Sequence, residues 1–448
     1  MRKKPILLFF VLFYAVLLWG DEGFGDIFGE TPAVIENQSS GFTASISGVI
    51  GMEMDYFMDN KLDSEVSANP YGDFVFNAGT DDIEATAVLS FSASDLESSL
   101  ILDDIIDELY LNAFFSFGYI EMGYLKTEWG KGDGEHVIDP LNPLDQTNGV
   151  YLNLNDMKSS EIMVQFNFYM GETGLLELVY KPFYTSIAVA TEGRWSVFDI
   201  SALPGAQDIV IPETHKLAYS QAAARATFSA GPFDLGLMYY YGFMTEPGYK
   251  FTSTLTGPDP FDPADYTTTT DIVYTGAHLF GAEAAVAIGP FTVRTEVGYW
   301  LTEDLSGDNP ELYNNRFVYL GGIDLTIPGT ALFLSAQIKG AYVFLYDNVT
   351  DEDVDKMASY NNTALSNTIM ATAEWPFLRD TMKLRVSALY QIESMGYMVV
   401  PVYFWNIKDD LEFSLYAKIF GGKASTGNNP YYSWDKNDSV SISLKYFF

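Results

Sequence analysis

The chain has 448 residues, with 24 Lys or Arg against 60 Asp or Glu, a formal net charge of -36, no Cys, 33 Phe, 30 Tyr and 37 Gly. Such an acidic surface repels phosphate, which excludes nucleic acid as a partner, and the lack of cysteine excludes disulfides, thiolate zinc sites, iron–sulfur clusters and cysteine nucleophiles. Disorder is excluded as well, because 48% hydrophobic residues bury far more apolar surface than an acidic tail would.

Residues 1–20 combine a basic start, Arg2, Lys3 and Lys4, with an unbroken apolar run from Ile6 to Trp19 and a polar sequel, Gly20, Asp21 and Glu22. This pattern predicts a cleaved secretory signal peptide, followed by a short segment, 21–40, on the periplasmic side. No later window of eighteen apolar residues occurs, so no spanning helix is expected. An exported chain without helical spans can still cross a membrane as a closed β-barrel, which satisfies every backbone group in lipid.

Period-two alternation begins at Phe42. Phe42, Ala44, Ile46, Gly48, Ile50, Met52, Met54, Tyr56 and Met58 alternate with residues that include Thr43, Ser45, Ser47, Glu53 and Asp55. The same period returns at Ile83 to Phe91, Ile162 to Phe168, Ala222 to Phe228, Phe291 to Tyr299 and Met382 to Tyr390. Many runs reach ten residues, the length of a tilted membrane-crossing strand rather than of a soluble sandwich strand. Tight connections at Gly171 to Gly174, Gly231-Pro232, Gly289-Pro290, Pro328-Gly329, Arg379-Asp380 and Lys408 to Asp410 alternate with long polar ones at 247–270, 303–315, 347–362 and 422–437. Short turns at one end and long loops at the other predict an all-β, antiparallel up-and-down transmembrane barrel over residues 41–448. Counting Tyr71 to Asn77 as the second strand gives about 18, with 16 as the alternative. Pro401 would remove a ladder donor, which makes the strand at Met398 to Phe404 the weakest of the set.

At the far end Val440, Ile442, Leu444, Tyr446 and Phe448 alternate with Ser439, Ser441, Ser443, Lys445 and Phe447. This resembles the closing strand by which the barrel-assembly machinery recognises bacterial outer-membrane proteins, and so implies that machinery and outer-membrane lipid as partners. Aromatic pairs at strand ends, such as Phe233 with Tyr241, Phe291 with Tyr299 and Phe377 with Tyr390, suit two interfacial girdles, although sheets favour Tyr and Phe anyway.

With the apolar parity facing lipid, the other face carries Glu84, Glu108, Glu121, Glu161 and Glu177 early in the chain. Later strands place Arg225, Arg294, Lys339, Lys383, Arg385, Lys418 and Lys445 there. Acids on one wall and bases on the other predict a transverse field across a wet lumen, blurred by Glu283, Asp324, Glu374 and Glu412. One connection stands apart, running Trp129-Gly-Lys-Gly-Asp133-Gly-Glu-His-Val-Ile-Asp139-Pro-Leu-Asn142-Pro-Leu-Asp145. Together with Glu-Leu-Tyr-Leu at 108–111 and the Gly123-to-Trp129 spacing, its Asp-Pro-Leu-Asn-Pro-x-Asp segment resembles sparsely characterised porin-like outer-membrane barrel families. The resemblance covers about forty residues. It implies a loop folded into the lumen as a constriction, with Trp129, Asp133, Asp139, Asn142 and Asp145 as lining residues, passage of small polar solutes or ions, and, because porins are often trimers, a homo-oligomer. A calcium site from Asp133, Glu135 and Asp139 does not fit EF-hand spacing.

Enzyme motifs are missing. His136, His215 and His278 sit in or beside loops, no His-x-Ser, Gly-x-Ser-x-Gly or phosphate-binding loop occurs, and no cofactor is implied. The sequence is therefore read as a non-enzymatic, porin-like channel for passive diffusion of small hydrophilic solutes or ions. A surface-exposed adhesin or interaction role, carried by acidic loops at 259–265 and 347–355, is the alternative. The acid excess gives a weak cation preference that the basic wall opposes.

Overall fold

A computed structural model describes residues 35–37, 41–58, 66–92, 105–149, 153–196, 209–259, 262, 265–351, 353–359, 361–423 and 429–448. The expected signal peptide, residues 1–20, lies outside them. So does most of segment 21–40, of which Ile35–Asn37 pairs antiparallel with the start of the first barrel strand.

The alternating runs form one closed antiparallel barrel of eighteen strands. In chain order these are β1 (Phe42–Phe57), β2 (Val66–Gly79), β3 (Ile83–Phe91), β4 (Ile106–Phe115), β5 (Gly118–Leu125) and β6 (Glu161–Met170). Then come β7 (Gly174–Lys181), β8 (Gln221–Ala230), β9 (Phe233–Phe243), β10 (Gly276–Ile288), β11 (Phe291–Thr302) and β12 (Arg316–Thr326). The circuit finishes with β13 (Phe333–Val343), β14 (Leu365–Phe377), β15 (Met382–Gln391), β16 (Tyr397–Lys408), β17 (Leu411–Gly421) and β18 (Ser439–Phe447). Each strand pairs with its sequence neighbour, and β18 returns to β1 with Val49 opposite Phe447 and Phe57 opposite Ser439. Closure leaves no sheet edge, which is the condition for placing strands in hydrocarbon.

Because side chains alternate across a strand, one parity of every strand points out and the other in. Ile50, Met52, Met54 and Tyr56 of β1, Leu237, Tyr239 and Tyr241 of β9, and Val440, Ile442, Leu444 and Tyr446 of β18 are exposed apolar residues on the outer face. Aromatic residues gather at both of its ends, Phe228, Phe233, Phe291 and Trp405 near the tight turns and Tyr180, Tyr241, Tyr299 and Tyr342 near the long loops. The tight turns named from sequence all fall at one end, joined there by two that sequence did not single out, at 80–82 and 116–117.

Two expectations change in detail. The long polar connection at 247–270 carries strands of its own, because Gly248–Leu255 and Tyr266–Val273 form an antiparallel hairpin beyond the barrel, with Ile209–Val210 added in parallel at one edge. Its Thr-rich alternation is itself a strand signal. Pro401 does not break β16, which runs through it; the ladder to β17 skips Val400 and Pro401, resuming at Val402 opposite Tyr416, while Val386 stays opposite Pro401 on the other side.

The apolar core lies inside the cylinder. Trp129, Ile138 and Leu141 of the connection after β5 pack with inward residues of the wall, among them Met163, Val179, Met238, Leu279, Trp300 and Val318. A barrel of this width leaves room for such a segment.

Candidate functional site

The connection after β5 turns into the barrel and is held there by wall side chains. Glu296, on the inward face of β11, is fully buried. Its Oε1 accepts hydrogen bonds from the backbone N–H groups of Lys131 and Gly132, both at 2.7 Å, and its Oε2 from that of Val137 at 2.8 Å. His136 completes the set with Nδ1 at 2.9 Å from Oε1, and its Nε2 lies 2.9 Å from Glu128 Oε1. Consecutive amides converging on one carboxylate form an anion-binding nest. The Gly-rich sequence is what permits it: at Gly130, φ +125°, a Cβ would sit 2.3 Å from His136 Nδ1 and 2.4 Å from Glu296 Oε1.

Other anchors surround this clamp. Trp129 Nε1 donates to Glu177 Oε1 on β7 at 3.2 Å. The Asp133 backbone exchanges two hydrogen bonds with the Gln337 side chain of β13, at 2.9 and 2.8 Å. Lys339 pairs with Glu135, and Lys181 donates to the Leu141 carbonyl. Asn142 accepts from Thr127 N at 2.8 Å and donates to the carbonyls of Leu125 and Ser159, both at 2.9 Å, tying the base of the loop to the end of β5. Ile138 rests in a hollow made by Gly281 and Gly298, which face each other across β10 and β11; a Cβ on either would lie 3.0 or 3.1 Å from its Cγ2. These wall partners stand on β5, β7, β10, β11 and β13. Among the described residues, β14 to β18 and β1 to β4 supply no hydrogen bond to residues 129–145.

Of the five loop residues singled out from sequence, Trp129, Asp139 and Asn142 are packed into the seat itself. Asp139 pairs with Lys158 at 2.5 Å, and both side chains are nearly inaccessible. Asp133 and Asp145 are exposed, the latter capping Thr147 N at 2.9 Å and standing opposite Ala188 of the next long loop. The Glu135 carboxylate pairs with Lys339 and that of Asp139 with Lys158, while Asp133 is held through its backbone by Gln337. Burial raises the Asp139 pKa, opposed by Lys158 and His136. Glu128 goes the other way: burial would raise it, but hydrogen bonds from Asn155 and His136, with the charges of His136 and Lys158, hold it below its usual value.

The twelve wall residues named from sequence all occupy the inward parity, but the two charged walls do not stand apart. Arg225 lies between Glu177 at 3.2 Å and Glu283 at 2.7 Å. Arg294 pairs with Asp324, Lys339 with Glu135, and Glu374 takes Arg385 at 2.6 Å and Lys383 at 3.5 Å. Lys181, which sequence passed over, pairs with Glu161 at 3.6 Å. Lys418 lies 5.7 Å from the Tyr416 ring, and Lys445 stands opposite Glu412. Glu108 accepts from Lys126 N at 3.1 Å. Glu84, Asn112 and Glu121 form a row across β3, β4 and β5, and no described cation lies within ion-pairing distance of Glu84 or Glu121.

Sequence reasoning missed Glu296, Gln337 and His136 as the clamp. Parity put Glu296 inside, yet nothing local to β11 points to residues 131–137. It also missed a second crossing, in which Trp434 Nε1 donates to the Trp195 carbonyl at 2.9 Å, Asn437 donates to the Arg194 carbonyl at 3.0 Å, and the Arg194 guanidinium lies 3.6 Å over the Phe57 ring. Segment 182–196 thus reaches from β7 to β1 and the loop before β18.

No protein-family model and no curated protein matches the chain. Solved structures do. A BenF-like porin from Pseudomonas fluorescens Pf-5 aligns over 91% of this chain and 98% of its own, with a TM-score of 0.50 and 9% identity. OccK8 (OprE) of Pseudomonas aeruginosa aligns over 91% and 98%, with a TM-score of 0.49 and 11% identity. The outer membrane channel DcaP of Acinetobacter baumannii aligns over 92% and 98%, with a TM-score of 0.41 and 12% identity. At such identities the likeness is one of fold.

Proposed function

We propose that the chain is a porin-like channel of the bacterial outer membrane, through which small hydrophilic solutes or ions diffuse passively without any chemical step. One observation carries the reading: a closed barrel with an apolar outer face and a charged inner one has a loop seated inward on one side of its lumen. The barrel is too wide for its own side chains to fill, and a loop anchored on β5 to β13 narrows the space while the opposite wall keeps inward Ser387, Ser414, Ser441 and Thr372. That a structural neighbour is described as a BenF-like porin agrees with this reading. Of the seven bases that parity placed inside, five are held by acids, whereas no described cation pairs with Glu84 or Glu121, which favours cations in the lumen. The alternating closing strand β18, with Phe448 bonded back to Gly48 of β1, suits assembly by the barrel-assembly machinery.

The test is single-channel recording of the chain in a planar bilayer under a KCl gradient. Stable steps support the channel. Silence from a folded, heat-modifiable barrel would overturn it and favour the surface-interaction alternative, which the exposed Thr-rich hairpin at 248–273 supports.

A further inference from the structure

One carboxylate gathers the backbone of residues 131–137 of the inward loop. Glu296 receives three backbone N–H groups and an imidazole within 2.9 Å, and the other nitrogen of that imidazole faces a second carboxylate, Glu128. An imidazole donates at both nitrogens only when it carries two protons; the neutral ring has one N–H and one lone pair. Deprotonation would therefore set a lone pair against Glu296 or Glu128 and remove the charge that compensates them.

We infer that Glu296 is the positioning residue of the inward loop, and that a doubly protonated His136 bridging Glu296 and Glu128 makes the seat of residues 130–137 proton-dependent. Its effect on conduction rests on reading that loop as the narrowing of a channel. The other ionisable groups around the pair are engaged elsewhere. Glu283 of β10, beside Glu296, is held by Arg225; Arg316 of β12 and Lys339 of β13, which line a cavity of about 350 Å³ together with His136, are held by Asp355 and Glu135; Asp139 and Lys158 hold each other. Glu246 also lines that cavity, from the loop after β9. Burial alone would lower the His136 pKa, but the hydrogen bond and charge of Glu296, then Asp139 and Glu128, outweigh it and raise it above the ordinary imidazole value. With the pKa raised by the seat, the seat is fully held below about 6.5 and loosens as pH climbs through the higher value.

Two measurements on the full chain test this. Hydrogen exchange at the amides of 131, 132 and 137, corrected for intrinsic rates, should be slow at pH 6 and about tenfold faster at pH 9, the weight of one charge-assisted hydrogen bond. His136→Gln should exchange fast at both pH values, and Glu296→Gln, which offers one acceptor oxygen, faster still. In bilayers the wild type should flicker more as pH rises, while His136→Gln shows a flat profile. Equal exchange in wild type and His136→Gln at both pH values overturns the inference even if Glu296→Gln fails to fold. Silence in the bilayer with pH-dependent exchange overturns the channel reading and leaves the clamp standing.

Discussion

Neutralising Glu84 and Glu121 together, as E84Q/E121Q, is expected to lower cation preference without disturbing the fold. Both acids face inward on one row with Asn112 between them, and no described cation pairs with either. At about 8 Å from a passing ion, a unit charge in water contributes ~0.5 kcal/mol, reduced to ~0.25 kcal/mol at 0.1 M salt, where the Debye length is about 10 Å. Two charges give ~0.5 kcal/mol. Cations and anions shift in opposite directions, so the permeability ratio should fall about fivefold, and the effect should nearly vanish at 1 M salt, where screening acts within about 3 Å. The assay is the reversal potential under a tenfold KCl gradient at both ionic strengths. An anion-preferring wild type, or a double variant with an unchanged potential at low salt, would show that the paired bases still dominate the field and that compensation by contact is the wrong account.

Ile138→Ala should loosen the loop by about 2–5 kcal/mol, the range for emptying a buried aliphatic site, because the glycine hollow beneath it has no side chain to move in. Faster proteolysis within 129–145 with an unchanged barrel unfolding midpoint would confirm it, and unchanged proteolysis would count against it. Burial, with the Asp355 charge behind it, raises the Asp353 pKa to about 6. Its protonated form is therefore favoured in the fold, so order at the short helix Val354–Ala358 should weaken as pH rises through about 6, and exchange at the Asp355 to Met357 amides should lose that dependence in Asp353→Asn. Phe448 exchanges backbone hydrogen bonds with Gly48 at 3.0 and 3.1 Å and lies 5.5 Å from the Phe74 ring. Phe448→Ala should lower the heat-modifiable fraction, and an unchanged fraction would show that closure does not depend on that ring.

What could be read in the sequence follows from how information is stored in a barrel. Lipid on one side and water on the other force a period of two, so the faces of β1, β9 or β18 are legible residue by residue, and tight turns fix register by reflection. Glu374 and Arg385 illustrate this: the turn at 378–381 folds β14 onto β15 and sets the two opposite each other, so their pairing is legible from turn geometry and runs against two separate charged walls. Glu177 and Arg225 show the limit. They too stand directly opposite, but 182–220 joins their strands, and a connection that long fixes no register. The clamp lies further out of reach, since Glu296 meets residues 131–137 across the lumen instead of along a ladder. Such a contact leaves only indirect marks: glycines at 130, 132 and 134 that a solvated loop would not need, and small residues at 281 and 298 facing each other in a wall otherwise lined by Leu279, Trp300 and Val318. A run of close-approach glycines in a connection, matched by a glycine pair on the inward parity of distant strands, is the physical trace of a loop pressed against the inside of its own barrel.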